Sequence, residues 1–391
     1  MRGRDPGEMY RSTSALELLF DLCFVVAVSQ AAAQLHHGIA DGHLGSALCA
    51  YAAVFFAIWW AWMNFTWFAS AFDTDDVPYR LLTLLQMAGV LVLASGVPAA
   101  FAHFDFKIVT FGYVVMRVAM ITQWLRAGAG DSEHRSAAVR YAVGIAVVQA
   151  GWIARLWAPR GWAYVTYVGL VIADLAVPAW AEYRGSTTSW HPGHITERYG
   201  GFTIIVLGEV ILATAAALQS AEHSLATLEV AVGGLLLVFG LWWIYFAEPE
   251  AELSQPRIAF IWGYGHYAVF GSVAALGAGL QAALDADAHH AALSPSAAAL
   301  AVAAPVTITM LALAALQRLT SVCTTAAHAV LAAGAVVVLA LAFCPPLLGL
   351  AGSVLGMGIV VAVTLGVIIL VTAHESRRPV AFEDGARRPR Q

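Results

Sequence analysis

Residues 347–373 read LLGLAGSVLGMGIVVAVTLGVIILVTA and contain no charged side chain. A helix needs roughly 20 apolar residues to cross the hydrocarbon core of a bilayer, so this stretch is long enough to span one. The whole chain shares this character, because 60% of its 391 residues are hydrophobic and only 12% are charged, with a mean hydropathy of +0.73. Soluble domains carry about 25% charged residues. The composition therefore excludes an ordinary soluble fold and predicts an integral membrane protein.

Apolar runs of this kind recur along the chain and are separated by polar or turn-rich breaks. They predict an all-α, polytopic membrane protein of about 12 transmembrane helices. The weakest boundary is Cys-Pro-Pro-Leu at 344–347, where two prolines predict either a tight turn or a kink within one helix. The predicted spans are 16–35, 45–72, 79–101, 106–126, 137–157, 161–182, 198–219, 224–246, 257–281, 296–318, 326–344 and 347–373.

The distribution of basic residues predicts how the chain is oriented, because short cytoplasmic loops carry an excess of Lys and Arg. Of the 20 Lys and Arg residues, only Lys107, Arg155 and Arg160 fall on the side opposite the two termini, and Arg117 lies inside a span. We therefore expect a multi-pass protein of the cell membrane with both termini cytoplasmic. The basic tail 374–391 is expected to lie against anionic lipid headgroups.

Charge and cysteine content limit the partners that we expect. The net charge of -5 is small and, apart from the tail, unclustered, so no nucleic-acid partner is predicted. Cys23, Cys49, Cys323 and Cys344 fall in apolar runs without a CxxC pattern, which argues against a disulfide framework and against a zinc site. No cofactor is predicted. The expected partners are the lipid bilayer and an unknown small solute or lipid.

A tryptophan pair occurs twice, as Trp59-Trp60 and as Trp242-Trp243. In both cases the span directly before the pair begins with glutamate and phenylalanine near the predicted cytoplasmic face. The repeat predicts two six-helix halves, and because six is even the halves would have parallel orientation, as in some transporters. Chance recurrence of interfacial tryptophans is the alternative. The predicted units are the N-terminal segment 1–15, the halves 16–182 and 198–373, the linker 183–197 and the tail 374–391.

Ionisable side chains within the spans are the candidates for a substrate or proton site, because such groups are costly in lipid. They are Asp21, Arg117, Asp174, Glu209 and His266. Helix rise places Arg117 and Glu209 at similar depth, so we predict an ion pair between them, which could be purely architectural. The alternative pairs Arg117 with Asp21 and leaves Glu209 as a neutral carboxyl group that carries a proton.

Other residues are predicted to support this site. Asn64 and Gln86 offer hydrogen bonds, although amides in spans more often join one helix to another. His191, His194 and Glu197 have helical spacing, but at a polar membrane edge they are expected to be solvated, and no metal site is predicted. The remaining supporting residues read from the sequence pattern are Trp59, Trp60, Trp242 and Trp243.

Two longer motifs resemble the signature of a known family. Residues 16–30 read LELLFDLCFVVAVSQ, and residues 194–209 read HITERYGGFTIIVLGE. In this order they resemble the bacterial low-temperature-requirement A (LtrA) family. The resemblance implies a membrane location but supplies no substrate. It also implies a site built from Glu17, Asp21, Arg117, Glu197, Arg198 and Glu209.

Two functions are compatible with these residues. The first is a proton-linked secondary transporter of a small solute, in which Glu209 or Asp21 carries the proton and Arg117 acts as counter-ion or anion anchor. The second is an intramembrane enzyme that acts on a lipid or isoprenoid, with acid catalysis from Glu209 or Asp21 and aromatic faces around a cation. No catalytic residue is assigned. A cavity open sideways to lipid would favour the enzyme, and a solvent path to Glu209 would favour transport.

Overall fold

The computed structural model describes residues 1–376 apart from 6, 10, 184–186, 220–223, 248–252, 254, 288–292 and 321–324. Within these residues the fold is all-helical, as predicted. The helices are α1 (Ala15–Ala40), α2 (Leu44–Phe72), α3 (Val77–His103), α4 (Lys107–Gly130), α5 (Arg135–Arg155), α6 (Ala163–Ala181), α7 (Pro192–Gln219), α8 (Leu225–Phe246), α9 (Pro256–Asp287), α10 (Pro295–Thr320), α11 (Thr325–Leu341) and α12 (Pro345–Ser376). A short 3-10 helix, Arg160–Trp162, lies between α5 and α6.

The helices have the length and composition of membrane spans. Among the described residues, 11 helices are long and apolar enough to cross a bilayer, and α11 is a shorter apolar helix of 17 residues. The predicted spans match the helices in order, which confirms an all-α, polytopic architecture. Several boundaries differ by four to six residues: α7 begins at Pro192, inside the predicted linker 183–197, and α1, α4 and α9 end later than predicted, at Ala40, Gly130 and Asp287. The tail after Ser376 lies outside the described residues, and so does Cys323.

The two prolines at 345 and 346 end one helix and begin another. Helix α11 stops at Leu341, and the Leu347 N–H donates to the Cys344 carbonyl at 2.9 Å across the turn. Helix α12 starts at Pro345, where a missing N–H costs nothing. Gly349, with a φ of 73°, then interrupts α12, and this backbone conformation favours glycine. The structure therefore contains both the turn and the kink.

The N-terminal segment is anchored beneath the bundle. Ser14 and Glu17 form a reciprocal capping box at the start of α1. The buried Arg11 guanidinium donates to the carbonyls of Ser70 and Ala69, with Arg11 Nη2 at 2.7 Å from Ala69 O. These carbonyls belong to the last turn of α2, whose partial negative charge favours a cation. The segment is therefore part of the folded structure.

We call the side that carries this segment the N-terminal face. There the Gly3 N–H donates to Asp131 Oδ2, just after α4, at 2.7 Å. The other helix ends form the opposite face, where His36 Nε2 of α1 lies 2.7 Å from Asp285 Oδ2 of α9.

The first six helices and the last six pack in a similar order. Helix α1 packs on α2 and α3, and α7 packs on α8 and α9. In the first six, α3 packs on α4, α4 on α5 and α5 on α6, and the corresponding helices of the last six pack in the same sequence. Helix α1 also packs on α7 and α9 and so joins the two sets.

The two sets differ at their sixth helix. Helix α12 packs closely on α8, where glycines allow backbone contact: a Cβ added to Gly233 would lie 2.8 Å from the Val354 carbonyl oxygen, and one added to Gly358 would lie 2.7 Å from the Gly233 carbonyl oxygen. Helix α6 instead packs on α5 and has no comparable packing on α2 within the described chain.

The separation of α6 from α2 leaves a space that we call the α2–α6 cleft. Helices α4 and α5 also contribute side chains to it. Trp60, Asn64, Trp152 and Asp174 are among its lining residues, and Arg117 bridges Asn64 and Asp174.

Candidate functional site

A buried ion pair crosses the middle of the α2–α6 cleft. Arg117 Nη2 of α4 lies 3.4 Å from Asp174 Oδ1 of α6, and Arg117 Nη1 donates to Asn64 Oδ1 of α2 at 3.1 Å. Both charged side chains are 5% exposed. The guanidinium also lies over the Tyr113 ring, 5.2 Å from its centroid, a cation–π distance. Three helices are thus joined through one arginine.

The second oxygen of Asp174 is bound by an indole. Trp152 Nε1 of α5 donates to Asp174 Oδ2 at 2.7 Å. The Trp60 indole of α2 also interacts with this carboxylate, although its buried Nε1–H does not reach hydrogen-bond geometry. The carboxylate therefore accepts from N–H donors of α4 and α5, and the α2 indole lies near it.

Two small cavities lie on either side of this ion pair. The near cavity, towards the N-terminal face, has a volume of about 20 Å³, and Asn64, Trp60 and Glu182 are among its lining residues. The far cavity, towards the opposite face, has a volume of about 30 Å³ and is lined by Asp174 and by mostly apolar and aromatic side chains. A water molecule needs at least about 10–15 Å³ measured in this way, so each cavity can hold one or two waters.

The near cavity adjoins a wide vestibule on the N-terminal face. The vestibule has a volume of about 820 Å³, and Thr188 lines both it and the near cavity. On its wall Asp131 is partly buried, which raises its pKa, but hydrogen bonds from the His134 ring and from the Gly3 and His134 amides outweigh this effect. Together they lower the pKa of Asp131 to about 2. A fixed negative charge therefore stands on the vestibule wall at neutral pH.

An arginine and four aromatic rings lie at the opposite end of the cleft. The Arg155 guanidinium carbon lies between 5.2 and 5.9 Å from the centroids of four rings, and its N–H groups donate to the Ala163 carbonyl. Three of these rings also line the far cavity. Arg155 and its rings thus lie where the cleft meets the opposite face. The four rings are Phe104, Phe106, Trp152 and Tyr167.

A second group of buried charges joins α1 to α7. Arg198 Nη1 lies 2.9 Å from Glu17 Oε1, and Arg198 Nη2 donates to Asp21 Oδ1 at 2.5 Å. His194 Nε2 lies 3.3 Å from Glu17 Oε1, and the Trp62 indole donates to Asp21 Oδ1 at 2.8 Å. These four charged or titratable side chains are at most 1% exposed. We call Glu17, Asp21, His194 and Arg198 the α1–α7 ion cluster.

Residues 12–367 match the sequence model described as "Bacterial low temperature requirement A protein (LtrA)". The chain belongs to the LtrA family. The matched region begins before α1 and ends within α12, so it includes both the α2–α6 cleft and the α1–α7 ion cluster. The resemblance predicted from residues 16–30 and 194–209 is therefore confirmed.

A further comparison found a similar bacterial protein. The chain is 28% identical over 281 residues to "Uncharacterized protein RA0937" of Rhizobium meliloti (strain 1021). The aligned region covers 66% of this chain and 66%, just under two thirds, of that relative.

The predicted ion pair between Arg117 and Glu209 is wrong for this LtrA chain. Arg117 binds Asp174, whereas Glu209 lies on α7 against Gly277 of α9 and accepts a hydrogen bond from the Ser29 hydroxyl. Helix rise estimates only depth, and two groups at equal depth need not lie on neighbouring helices. Ser29 is the one hydrogen-bond partner of the Glu209 carboxyl group within the described chain.

The alternative partner for Arg117 is wrong as well. Asp21 binds Arg198 in the α1–α7 ion cluster, on the other side of α2 from the cleft. The sequence singled out Glu17, Asp21 and Arg198, and the structure brings these three together, but it keeps them apart from Arg117.

His266 has the partners of a buried core histidine. Its Nδ1 lies 2.8 Å from the Trp262 carbonyl oxygen and its Nε2 lies 3.1 Å from the Tyr245 hydroxyl. The ring packs against Tyr199 and Phe270. The structure does not bring His266 to the cleft.

Two of the supporting residues lie away from the cleft. Glu197 is exposed and accepts from the Thr13 N–H at 3.1 Å on the N-terminal face. The Gln86 amide donates to Gln123 Oε1 at 3.0 Å and joins α3 to α4. Because His194 turns inward to Glu17, it does not converge with Glu197.

The two tryptophan pairs occupy different surroundings. Trp59 and Trp60 are buried in the centre of the bundle, with 2% and 1% exposure. Trp242 and Trp243 are 45% and 50% exposed on α8. These four tryptophans therefore do not form one aromatic group that could surround a cation.

Several residues of the cleft were missed by sequence reasoning. Trp152 and Tyr113 stand in apolar runs among other aromatic residues, and nothing in the sequence distinguishes them. Arg155 was placed near the end of the predicted span 137–157 and counted only among the basic residues opposite the termini, and Glu182 was placed only at the end of a span. A basic residue directly after an apolar run, as at Arg155, is the one signal that a search for cleft ends could have used.

Proposed function

We propose that this LtrA chain is a proton-linked secondary transporter of a small solute, and that the solute crosses the bilayer through the α2–α6 cleft. The observation that carries the proposal is the Arg117–Asp174–Asn64 group, which separates two cavities near the middle of the bundle. Charged groups at membrane depth mark substrate and ion pathways. A closed ionic barrier with solvent-sized space on both sides is the arrangement expected of a carrier between transport steps.

The two ends of the cleft support this reading. The vestibule on the N-terminal face and the near cavity share Thr188 as a lining residue, and Arg155 packs against three of the rings that line the far cavity. The proposal requires only that the ion pair and the Arg155 contacts open in turn. We further propose that the N-terminal face is cytoplasmic in the cell membrane, because most Lys and Arg residues of the short loops lie there.

The similar packing order of the first and last six helices supports two halves in parallel orientation. In this proposal only the first half contains an open cleft. Helix α12 occupies the equivalent space in the second half by packing on α8, so the second half supplies a rigid support.

The group that accepts the proton is Asp174 in this proposal, because loss of its charge would release Arg117. Glu209, which has a hydroxyl partner and no cation partner within the described chain, is the second candidate. Asp21 is less suited to the role, because Arg198 and Trp62 both bind the same oxygen of its carboxylate.

The enzyme hypothesis receives less support. An isoprenoid cation would need free aromatic faces, but guanidinium groups already lie over the rings of Tyr113, Trp152 and Tyr167 in the cleft. This occupation of the ring faces favours a solute path over an isoprenoid site in the cleft.

The proposal is tested by untargeted mass spectrometry of cells and medium after overexpression. The samples are the wild type, Arg117→Gln and the matched control Arg80→Gln, which makes the same change at a side chain that is 57% exposed. A known compound that redistributes between cells and medium with the wild type and the control, but not with Arg117→Gln, is the expected result. A compound of new mass that depends on Arg117 would instead indicate an enzyme. Equal redistribution with all three proteins would exclude the cleft as the path.

A further inference from the structure

The Arg117–Asp174 site contains many hydrogen-bond donors and one anion. Arg117 Nη2 and the Trp152 Nε1–H donate to the Asp174 carboxylate, and the Trp60 indole lies near it. The Trp60 Nε1–H is buried, since Trp60 is 1% exposed, and it has no hydrogen-bond partner among the described residues. The Trp60 N–H, which has no partner among the described residues, is suited to donate to a bound acceptor that is larger than the Asp174 carboxylate or lies closer to the indole.

We propose that the Asp174 carboxylate occupies the position of a substrate carboxylate, and that the solute is a small organic monocarboxylate that moves together with one proton. This inference rests on the proposed transport function and names its substrate class. A guanidinium binds carboxylate through paired N–H donors, and indole N–H groups donate but cannot accept. The donor set therefore selects an anion with carboxylate geometry.

The charge of the site sets the stoichiometry. With the cleft empty, Arg117 carries one positive charge and Asp174 one negative charge, so the pair is neutral. When a proton binds the Asp174 carboxylate, the solute's carboxylate takes its place beside Arg117, and the site is neutral again. No bond of the solute breaks, and one proton and one anion enter together. Both states avoid an unpaired charge in the bilayer, which is the costly alternative.

The surroundings of the site indicate what the rest of the solute is like. The far cavity next to Asp174 is lined mainly by aromatic and aliphatic side chains, among them Phe56, Val109 and Tyr167. One cation faces the site, so a single negative charge is balanced and a second would not be. A monocarboxylate with an apolar group fits these features better than a dicarboxylate or a phosphate.

The groups that face Asp174 come from all the helices around it. They are Trp60 and Asn64 of α2, Tyr113 and Arg117 of α4, Trp152 of α5, Tyr167 of its own helix and Tyr264 of α9, whose hydroxyl donates to the Leu175 carbonyl. Arg117 is the one cation among them, and Asp174 is the one carboxylate. A linked proton on binding between pH 6 and 8 is therefore assigned to Asp174.

The first experiment measures binding of acetate and benzoate to the purified full-length protein at pH 6, 7 and 8, with acetamide and benzamide as neutral controls. We expect wild-type affinity for at least one carboxylate to rise about tenfold for each unit that the pH falls, because one proton binds with each anion. The amides should not bind. A wild-type affinity that does not change with pH, or equal binding of the amides, would overturn the proposal without recourse to any variant.

Variants then assign the roles. Asp174→Asn imitates the protonated carboxyl group, so it should bind the same carboxylate with an affinity that is independent of pH and at least equal to that of the wild type at pH 6. Arg117→Gln should lose binding at all three pH values. Asp105→Asn changes a carboxylate that is 39% exposed and pairs with Lys107, and it should keep the wild-type pH dependence. A folded Asp174→Asn protein that binds neither carboxylate, or binds with the wild-type pH dependence, would contradict the proposal.

Uptake into proteoliposomes separates this inference from the proposed function. Proton-linked binding without uptake would leave the anion site intact and remove the transport proposal. Carboxylate uptake that continues unchanged without a pH gradient, and without proton-linked binding, would leave transport intact and refute the role of Asp174.

Discussion

Replacement of Arg198 by glutamine should destabilise the protein strongly. Arg198 is fully buried and lies 2.9 Å from Glu17 and 2.5 Å from Asp21, whose side chains are 1% exposed. Removal of the arginine leaves two carboxylates next to each other without a cation. Breaking one buried ion pair in this way costs about 3–5 kcal/mol. Because Arg198 serves two carboxylates, we expect a loss of at least this size in the free energy of unfolding.

The assay is unfolding of the purified protein in mixed detergent micelles, followed by far-UV circular dichroism. Arg257→Gln makes the same change at an exposed position at the start of α9 and should lose less than about 1 kcal/mol. The triple variant Arg198→Gln, Glu17→Gln, Asp21→Asn removes every formal charge that the arginine pairs with. It should recover a large part of the loss, because the desolvation of unpaired carboxylates is then absent. If Arg198→Gln lowers the free energy of unfolding no more than Arg257→Gln does, the cluster does not hold α1 to α7 as described. The same conclusion follows if the triple variant is no more stable than Arg198→Gln.

Three other predictions concern the cleft, the second half and the vestibule. Arg155→Ala should expose the far cavity to the opposite face. In a background without the natural cysteines, Val109→Cys should then react with an impermeant thiol reagent added from that face at least several-fold faster than it does with Arg155 present. An unchanged reaction rate would show that Arg155 does not close the cavity. Gly233→Ala should lower the free energy of unfolding by about 1–3 kcal/mol, because its Cβ would lie 2.8 Å from the Val354 carbonyl oxygen. The control Gly366→Ala meets nothing within 4 Å and should be neutral or slightly stabilising. Equal melting temperatures for the two variants would refute the close packing of α12 on α8. Asp131→Asn should cost roughly 1 kcal/mol at pH 7. Because the folded-state pKa of Asp131 is lowered to about 2, this contribution is present above the unfolded value near 4 and is lost as the pH falls from about 4 to about 2, which thermal unfolding at pH 7, 4 and 2.5 would detect.

The membrane architecture could be predicted because hydrophobic length is a local property of the sequence. Each apolar run needs only its own residues to be recognised, and the spans around Trp59 and Ile359 were located without knowledge of their neighbours. The start of α7 was misplaced because residues 192–197 read PGHITE and contain no apolar run. In the structure these residues continue the helix, and His194 turns inward to a carboxylate on α1.

The pairing of charges could not be predicted in the same way. Arg117, Asp174 and Glu209 were all recognised as costly groups inside spans, but their partners depend on which helices are neighbours and on how each helix is rotated. A single sequence contains no direct record of either. The arginine of the α1–α7 ion cluster was identified only through the family resemblance, since its position at residue 198 reads as the polar end of a span.

The anchoring of the N-terminal segment has a consequence for the order of synthesis. Arg11 leaves the ribosome well before its acceptors at Ala69 and Ser70, and Gly3 precedes its acceptor Asp131 by 128 positions. While α1 and α2 are being inserted by the translocation machinery, the Arg11 guanidinium therefore has no folded site to enter. The N-terminal face can be completed only after α4 has emerged, so nascent chains that end before residue 131 should leave the segment open to added protease, and longer ones should protect it.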